Sequence, residues 1–223
     1  MQRVPEPELM DDAEQAAAYA RADFSEPHDR FVALFGDHFG AGVGTTVLDL
    51  GCGPGDICRR FARAYPDCRL HAVDASQPML ELGRRDSEAQ GLRSRIRFIR
   101  AHLPAAELPQ QNYDVILSNS LLHHLVQPET LWQSIRHFGH AGSQVFVMDL
   151  LRPDSVEQAA YLVDTYAVNE AEILRQDFFN SLCAAYRPNE VVDQLSTQGL
   201  EELRIEVVSD RHFIVFGCLS GKH

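Results

Sequence analysis

The sequence predicts an α/β fold built on a mostly parallel sheet. Three observations carry this. Val47-Leu48-Asp49-Leu50 has strand character and runs straight into glycines at 51, 53 and 55, after which Ile57, Cys58, Phe61 and Ala62 take up helical spacing. Strand and helix patterns then alternate to about residue 150, the signature of parallel strands joined by crossover helices. Two alternating stretches, Glu202 to Val208 and His212 to Leu219, close the chain as an antiparallel pair and give the sheet one reversed strand.

Taken in order, residues 9 to 24 read as an Ala-rich helix and Glu26 to Phe39 as a second, which the run Gly40-Ala41-Gly42-Val43-Gly44 breaks. Strand one covers Thr45 to Leu50, and its helix runs from Asp56 to Tyr65, stopped by Pro66. Strand two is Arg69 to Asp74. Ser76 suits the cap of the next helix, with Pro78 in its first turn and Gly91 past its end. Strand three is Ile96 to Ala101. Strand four, Tyr113 to Ser118, is nearly continuously apolar, as a strand covered on both faces must be. Pro128-Glu129 opens a helix through Trp132, Ile135 and Phe138 that ends at Gly139 to Gly142, and strand five is Gln144 to Asp149. Residues 153 to 186 read as a helical insertion carrying Tyr161, Tyr166, Phe178, Phe179 and Tyr186, and Pro188 starts one more helix, to Gln198.

Composition bounds the function. The 223 residues are 45% hydrophobic and 23% charged, which fits one globular domain, 1–223, with a full core. A net charge of −12 argues against a nucleic-acid substrate, since duplex binders present a basic face. The one basic cluster, Arg84 to Arg100, reads as a solvated helix face and edge strand. No apolar run is long enough to span a bilayer, and Met1 to Asp12 lacks the apolar core of a signal peptide. The cysteines at 52, 58, 68, 183 and 218 form no CxxC pair, so no metal ligands and no disulfide framework are assigned, and a reducing cytoplasm is expected. The expected state is a monomer or homodimer.

The chemistry begins at the glycine turn. Its residues let the backbone bend sharply and let a ligand lie against bare main chain, beside the free N–H groups of a helix start. Asp74 ends the second strand about 20 residues later, where a carboxylate can hold both hydroxyls of a ribose. The spacing is Asp-x-Gly-x-Gly-x-Gly rather than the GxGxxG of dinucleotide binders, and no Tyr-x-x-x-Lys pair is present, so an NAD(P)-dependent reductase is disfavoured.

The motif Asp49-Leu50-Gly51-Cys52-Gly53-Pro54-Gly55, with Asp74 following, resembles the nucleotide-binding motif of the Rossmann-like (class I) methyltransferases that use S-adenosylmethionine (SAM). The resemblance implies a three-layer fold around a seven-stranded sheet of order 3-2-1-4-5-7-6 with strand 7 antiparallel. It also implies an N-terminal helical cover over 1–44, a helical lid at 153–186, and SAM as cofactor, converted to S-adenosylhomocysteine (SAH). It assigns cofactor contacts to Asp49, Gly51, Cys52, Gly53 and Gly55 at the turn and to Asp74 and Ala75 after strand two. Met79 would cover an adenine face or simply pack in the core. Many members carry Asp where this chain has His102, so His102 and the backbone of Leu103 are the adenine-edge candidates. Asn119 and Ser120 follow strand four, and Tyr19 would touch the methionine end of SAM or pack between helices.

Candidate catalytic residues follow strand four. His123 and His124 titrate in the range that suits proton removal near neutrality, and Leu-His-His-Leu here resembles small-molecule methyltransferases, including sugar O-methyltransferases that pair such a His with a strand-five Asp. Asp149 holds that position, as base, orienter of the histidine or metal ligand; the histidines otherwise merely open a helix and pack. Ser118-Asn119-Ser120-Leu121 lacks the Asn/Asp-Pro-Pro-Tyr/Phe of amide and adenine-amine methyltransferases, which disfavours protein-glutamine and DNA-adenine substrates. The expected reaction is in-line methyl transfer to a small-molecule acceptor; the alternative is a SAM- or nucleoside-binding module of the same fold without catalysis.

Overall fold

A computed structural model describes residues 1–6, 24–104 and 107–221. The helix expected over residues 9–24, and with it Tyr19, lies outside the described residues up to position 23. The described elements are α1 (Ser25–Phe39), β1 (Thr46–Leu50), α2 (Asp56–Ala64), β2 (Arg69–Asp74), α3 (Gln77–Ala89), β3 (Ile96–Arg100), β4 (Val115–Asn119), a 3-10 turn (Leu122–His124), α4 (Glu129–Phe138), β5 (Gln144–Leu150), α5 (Val156–Tyr166), α6 (Glu172–Ala184), α7 (Pro188–Thr197), β6 (Arg204–Val207) and β7 (His212–Cys218). Strand four starts and ends later than its apolar run suggests, because Tyr113 and Asp114 are spent on tying the sheet's lower edge: Asp114 accepts from both the Thr46 backbone N–H (2.9 Å) and its hydroxyl (2.7 Å).

The seven strands lie in the order β3-β2-β1-β4-β5-β7-β6. β1 through β5 pair in parallel, while β7 runs antiparallel to both β5 and β6. Alternation along each strand sorts side chains onto two faces. Leu48, Ile116, Val145 and Val215 join Leu131, Trp132 and Phe138 of α4 in one buried cluster. Val47, Leu70, Val115, Phe146 and Ile214 join Phe31 and Phe35 of α1 and Phe61 of α2 in the other. Each fully buried side chain of this kind stabilises the fold by about 1.5–3 kcal/mol.

Helix starts follow the local chemistry. The Ser76 hydroxyl accepts the Met79 N–H at 3.4 Å and Ser155 accepts that of Gln158 at 3.2 Å. Glu190 reaches back to the Arg187 N–H at 2.8 Å. The insertion between β5 and α7 consists of α5 and α6, packed on Leu150 through Leu162, Val163 and Leu182. Of the basic cluster, Arg95 is structural: its guanidinium bonds the carbonyls of Ala62, Tyr65 and Cys68. No described helix is long and apolar enough to cross a membrane.

Candidate active site

Strand order reverses between β1 and β4, and open α/β sheets bind ligands above the carboxyl ends of the strands at such a point. A cavity of about 850 Å³ lies there. It is lined by Asp49, Gly51, Cys52, Gly53, Asp74 and Met79 from the β1 and β2 ends, by Asn119, Ser120, His123 and His124 from the β4 end, and by Tyr166, Leu174 and Phe178 from α5 and α6. The sequence motifs are thus brought to one space.

The turn after β1 has positive φ at Gly51 (+74°), Gly53 (+51°) and Gly55 (+72°). At Gly51 a Cβ would stand 2.7 Å from Leu121, and at Gly55 it would stand 2.6 Å from the Phe98 ring. Gly55 is therefore a packing residue of the turn and does not line the cavity. Asp74 holds the turn down: its carboxylate accepts the Gly53 N–H (2.8 Å) and the Ser76 N–H (2.8 Å). Burial raises the Asp74 carboxyl despite these bonds. Asp49 is almost fully buried and accepts the Cys58 thiol at 2.9 Å. Burial pushes its carboxyl up to about 7, beyond what that bond offsets. A buried carboxylate beside a half-buried one in the same cleft suits a cation.

The polar atoms fit SAM, which carries an ammonium, a sulfonium and ribose hydroxyls. Asn119 Oδ1 is buried and accepts no hydrogen bond from the described residues, so it stands ready for a donor. Ser120, next along, holds φ +54°, a strained value for a residue with a side chain. Ala75, His102 and Leu103 do not line the cavity; His102 is exposed and Leu103 packs against the core.

Asp149 closes β5 behind the histidine turn. One carboxylate oxygen lies 2.6 Å from His123 Nδ1 and also accepts the Leu150 N–H; the other accepts the Leu122 N–H at 2.7 Å. Both side chains are nearly sealed from solvent. Burial opposes charge on each partner, yet their attraction lowers Asp149 and, with Glu6, raises His123. Asp149 does not line the cavity, and both its oxygens are engaged by neighbours, one of them by the imidazole of His123.

The sequence did not single out Glu6. Residues 1–6 lie against the insertion: Val4 N–H bonds Cys183 O (3.0 Å), and Arg3 donates to Ala184 O (2.6 Å) and His123 O (3.0 Å) while stacking on Tyr186. Glu6 is thereby placed 3.6 Å from His123 Nε2 and 3.1 Å from His124 Nδ1. Its proline-flanked acidic segment carries no pattern that would flag it. His28 was also unforeseen; it bonds Asp56 at 2.8 Å and lines the cavity. Burial works against the Asp56 charge, but His28 and Arg60 hold its carboxyl well below the usual range.

Comparison with known proteins agrees with this geometry. Residues 47–142 match the family model described as a methyltransferase domain. An uncharacterized methyltransferase of Mycobacterium tuberculosis is 27% identical over 149 residues, 67% of this chain and 73% of that protein. A ubiquinone/menaquinone biosynthesis C-methyltransferase of an Enterobacter strain is 26% identical over 132 residues, 59% of this chain and 52% of that one. Among solved structures, a putative S-adenosyl-L-methionine-dependent methyltransferase from Methanococcus maripaludis superposes with a TM-score of 0.71 at 17% identity, covering 99% of both chains. One from Aquifex aeolicus gives 0.66 at 16%, covering 92% of this chain and 97% of that one. The chain thus has the strand order and glycine turn of the Rossmann-like methyltransferase fold, and residues 47–142 match the methyltransferase domain.

Proposed function

We propose that this chain methylates a small molecule held between the glycine turn and the helical insertion, with His123 taking the acceptor's proton. The observation that carries the reading is the shared cavity: Asp49, Asp74 and Asn119 line it together with His123, whose Nδ1 is committed to Asp149. SAM supplies a methyl group on sulfonium sulfur, open to in-line displacement by the acceptor's lone pair. Positioning then accounts for most of the acceleration.

The chain's own residues divide the work. Asp74 receives the ribose hydroxyls, Asp49 and Asn119 the methionyl ammonium, and Met79 covers the adenine. With Nδ1–H donated to Asp149, His123 Nε2 carries the lone pair, takes the acceptor proton and leaves an imidazolium that Asp149 stabilises. α5 and α6 form the lid that excludes water: Tyr166 bonds Asp210 (2.8 Å), and Arg211 stacks on the Tyr166 ring and pairs with Glu26 at the start of α1. A cavity of about 850 Å³ leaves room for a metabolite beside the cofactor. The five unpaired cysteines accord with a reducing cytoplasm.

The test is transfer of labelled methyl from SAM into a fractionated metabolite extract. Labelled product small enough to pass a dialysis membrane supports the reading. Tight SAH binding with no transfer to any fraction supports a non-catalytic SAM-binding module instead.

A further inference from the structure

We propose that Glu6, His123 and His124 form a site for one divalent transition-metal ion, with an open position facing the acceptor. The site stands on its own geometry, and its role in catalysis rests on the function proposed above.

Glu6 Oε1 lies 3.6 Å from His123 Nε2 and 3.1 Å from His124 Nδ1, and the three donor atoms all fall within 4.8 Å of one another. A four-coordinate ion with bonds of about 2.0–2.1 Å to imidazole nitrogen and carboxylate oxygen holds neighbouring donors roughly 3.3 Å apart. The two separations from Glu6 bracket that value. Two histidines and one carboxylate, with a fourth position left for water or substrate, is the donor set of catalytic zinc and related ions.

The surroundings are those of a ligand set. Asp149 accepts a hydrogen bond from His123 Nδ1–H and leaves the Nε2 lone pair toward Glu6, the carboxylate–histidine arrangement that orients metal ligands. The Ser181 hydroxyl donates to Glu6 at 3.0 Å. Asp177 and Asp149 add negative potential at Glu6, and the Arg3 guanidinium is occupied on backbone carbonyls. Both histidines line the cavity, so the fourth position is open to an acceptor.

A hydroxyl or thiol of the acceptor ligating that position is bound as its anion near neutral pH, its proton leaving to solvent. Its lone pair then forms the bond to the methyl carbon, and the S–CH3 pair stays with sulfur. With the ion in place His123 is a ligand, so the proton-taking given to it above is its role in the metal-free chain. The acceptor class is therefore one with an ionisable O–H or S–H, rather than a carbon nucleophile.

The full chain, stripped with a chelator, is titrated with Zn2+ and separately with Co2+, with binding read by a competing chromophoric chelator and, for Co2+, by its visible spectrum. The expected result is one equivalent bound, with Mg2+ not competing. Glu6→Gln and His124→Ala each weaken Zn2+ by roughly tenfold or more, and Asp149→Asn, which removes the oriented imidazole, by roughly 10- to 100-fold. Failure of the folded chain to take up one equivalent overturns the site. So does uptake that is unchanged in the Glu6→Gln/His124→Ala double variant. A melting shift with SAH is measured on the same samples, so loss of the metal site with SAH binding intact is separable from failure of the methyltransferase reading.

Discussion

His123 Nδ1 and Asp149 Oδ1 lie 2.6 Å apart with almost no solvent access to either side chain. Burial disfavours each charge alone, and only the pairing makes both tolerable. The two residues come from different strands' ends, so the pair exists only because β4 and β5 are neighbours in the sheet.

This pair is expected to fail as a unit. Asp149→Asn and His123→Ala should each lower turnover by about 10²- to 10⁴-fold, with the double variant little worse than either. SAH affinity by calorimetry should stay within about threefold of wild type. A parallel loss of SAH affinity would make the pair a structural brace.

Asp74 should govern the cofactor. Asp74→Ala is expected to weaken SAH by about 1.5–3 kcal/mol, one charge-assisted set of hydrogen bonds. It also releases the Gly53 and Ser76 N–H groups it now accepts. Calorimetry with unchanged affinity would remove Asp74 from the ribose.

Asp49 should impose a pH dependence. Its carboxyl titrates at about 7 in the folded chain against 3.8 ordinarily, chiefly through burial. Below about 7 it is protonated and meets an ammonium poorly, so SAH affinity should rise as pH increases through 7, and Asp49→Asn should flatten that rise. The linkage for the free chain has the opposite direction. A raised folded value contributes stability present below the ordinary value and lost as pH climbs to about 7. Asp49→Asn should therefore raise the melting temperature of the ligand-free chain at pH 8 more than at pH 5.

His212 should act in the other sense. Burial, then the neighbouring Arg211, hold its imidazole down to about 4. Between 6.5 and about 4 the unfolded chain binds this proton and the folded chain does not, so stability falls as pH drops through that window. His212→Gln should lessen that fall in urea unfolding measured at pH 7 and pH 5.

Gly51 should resist any side chain. Gly51→Ala places a Cβ 2.7 Å from Leu121 at φ +74°, and is expected to cost about 1–3 kcal/mol of stability. Adding Leu121→Ala should recover only the steric part. Full recovery would show that the backbone conformation carries no strain.

The sequence by itself determined the parallel sheet and the glycine-turn end of the cleft. Asp49 through Gly55 and Asp74 are each local features, a strand end and a tight turn, and local chemistry is written in neighbouring residues. The repeated βα pattern and the terminal pair gave a mostly parallel sheet with one reversed strand; its order came from the resemblance, and the structure has that order. Tertiary structure alone decided the acceptor end. Glu6 reaches the histidines because residues 1–6 run along α6, a contact no spacing encodes. Whether Asp149 was base, ligand or orienter depended on where its two oxygens point, and His102 proved exposed despite its place at a strand end. Groups far apart in the chain meet through packing of whole elements, and packing depends on the shapes of many side chains at once rather than on any short run of residues.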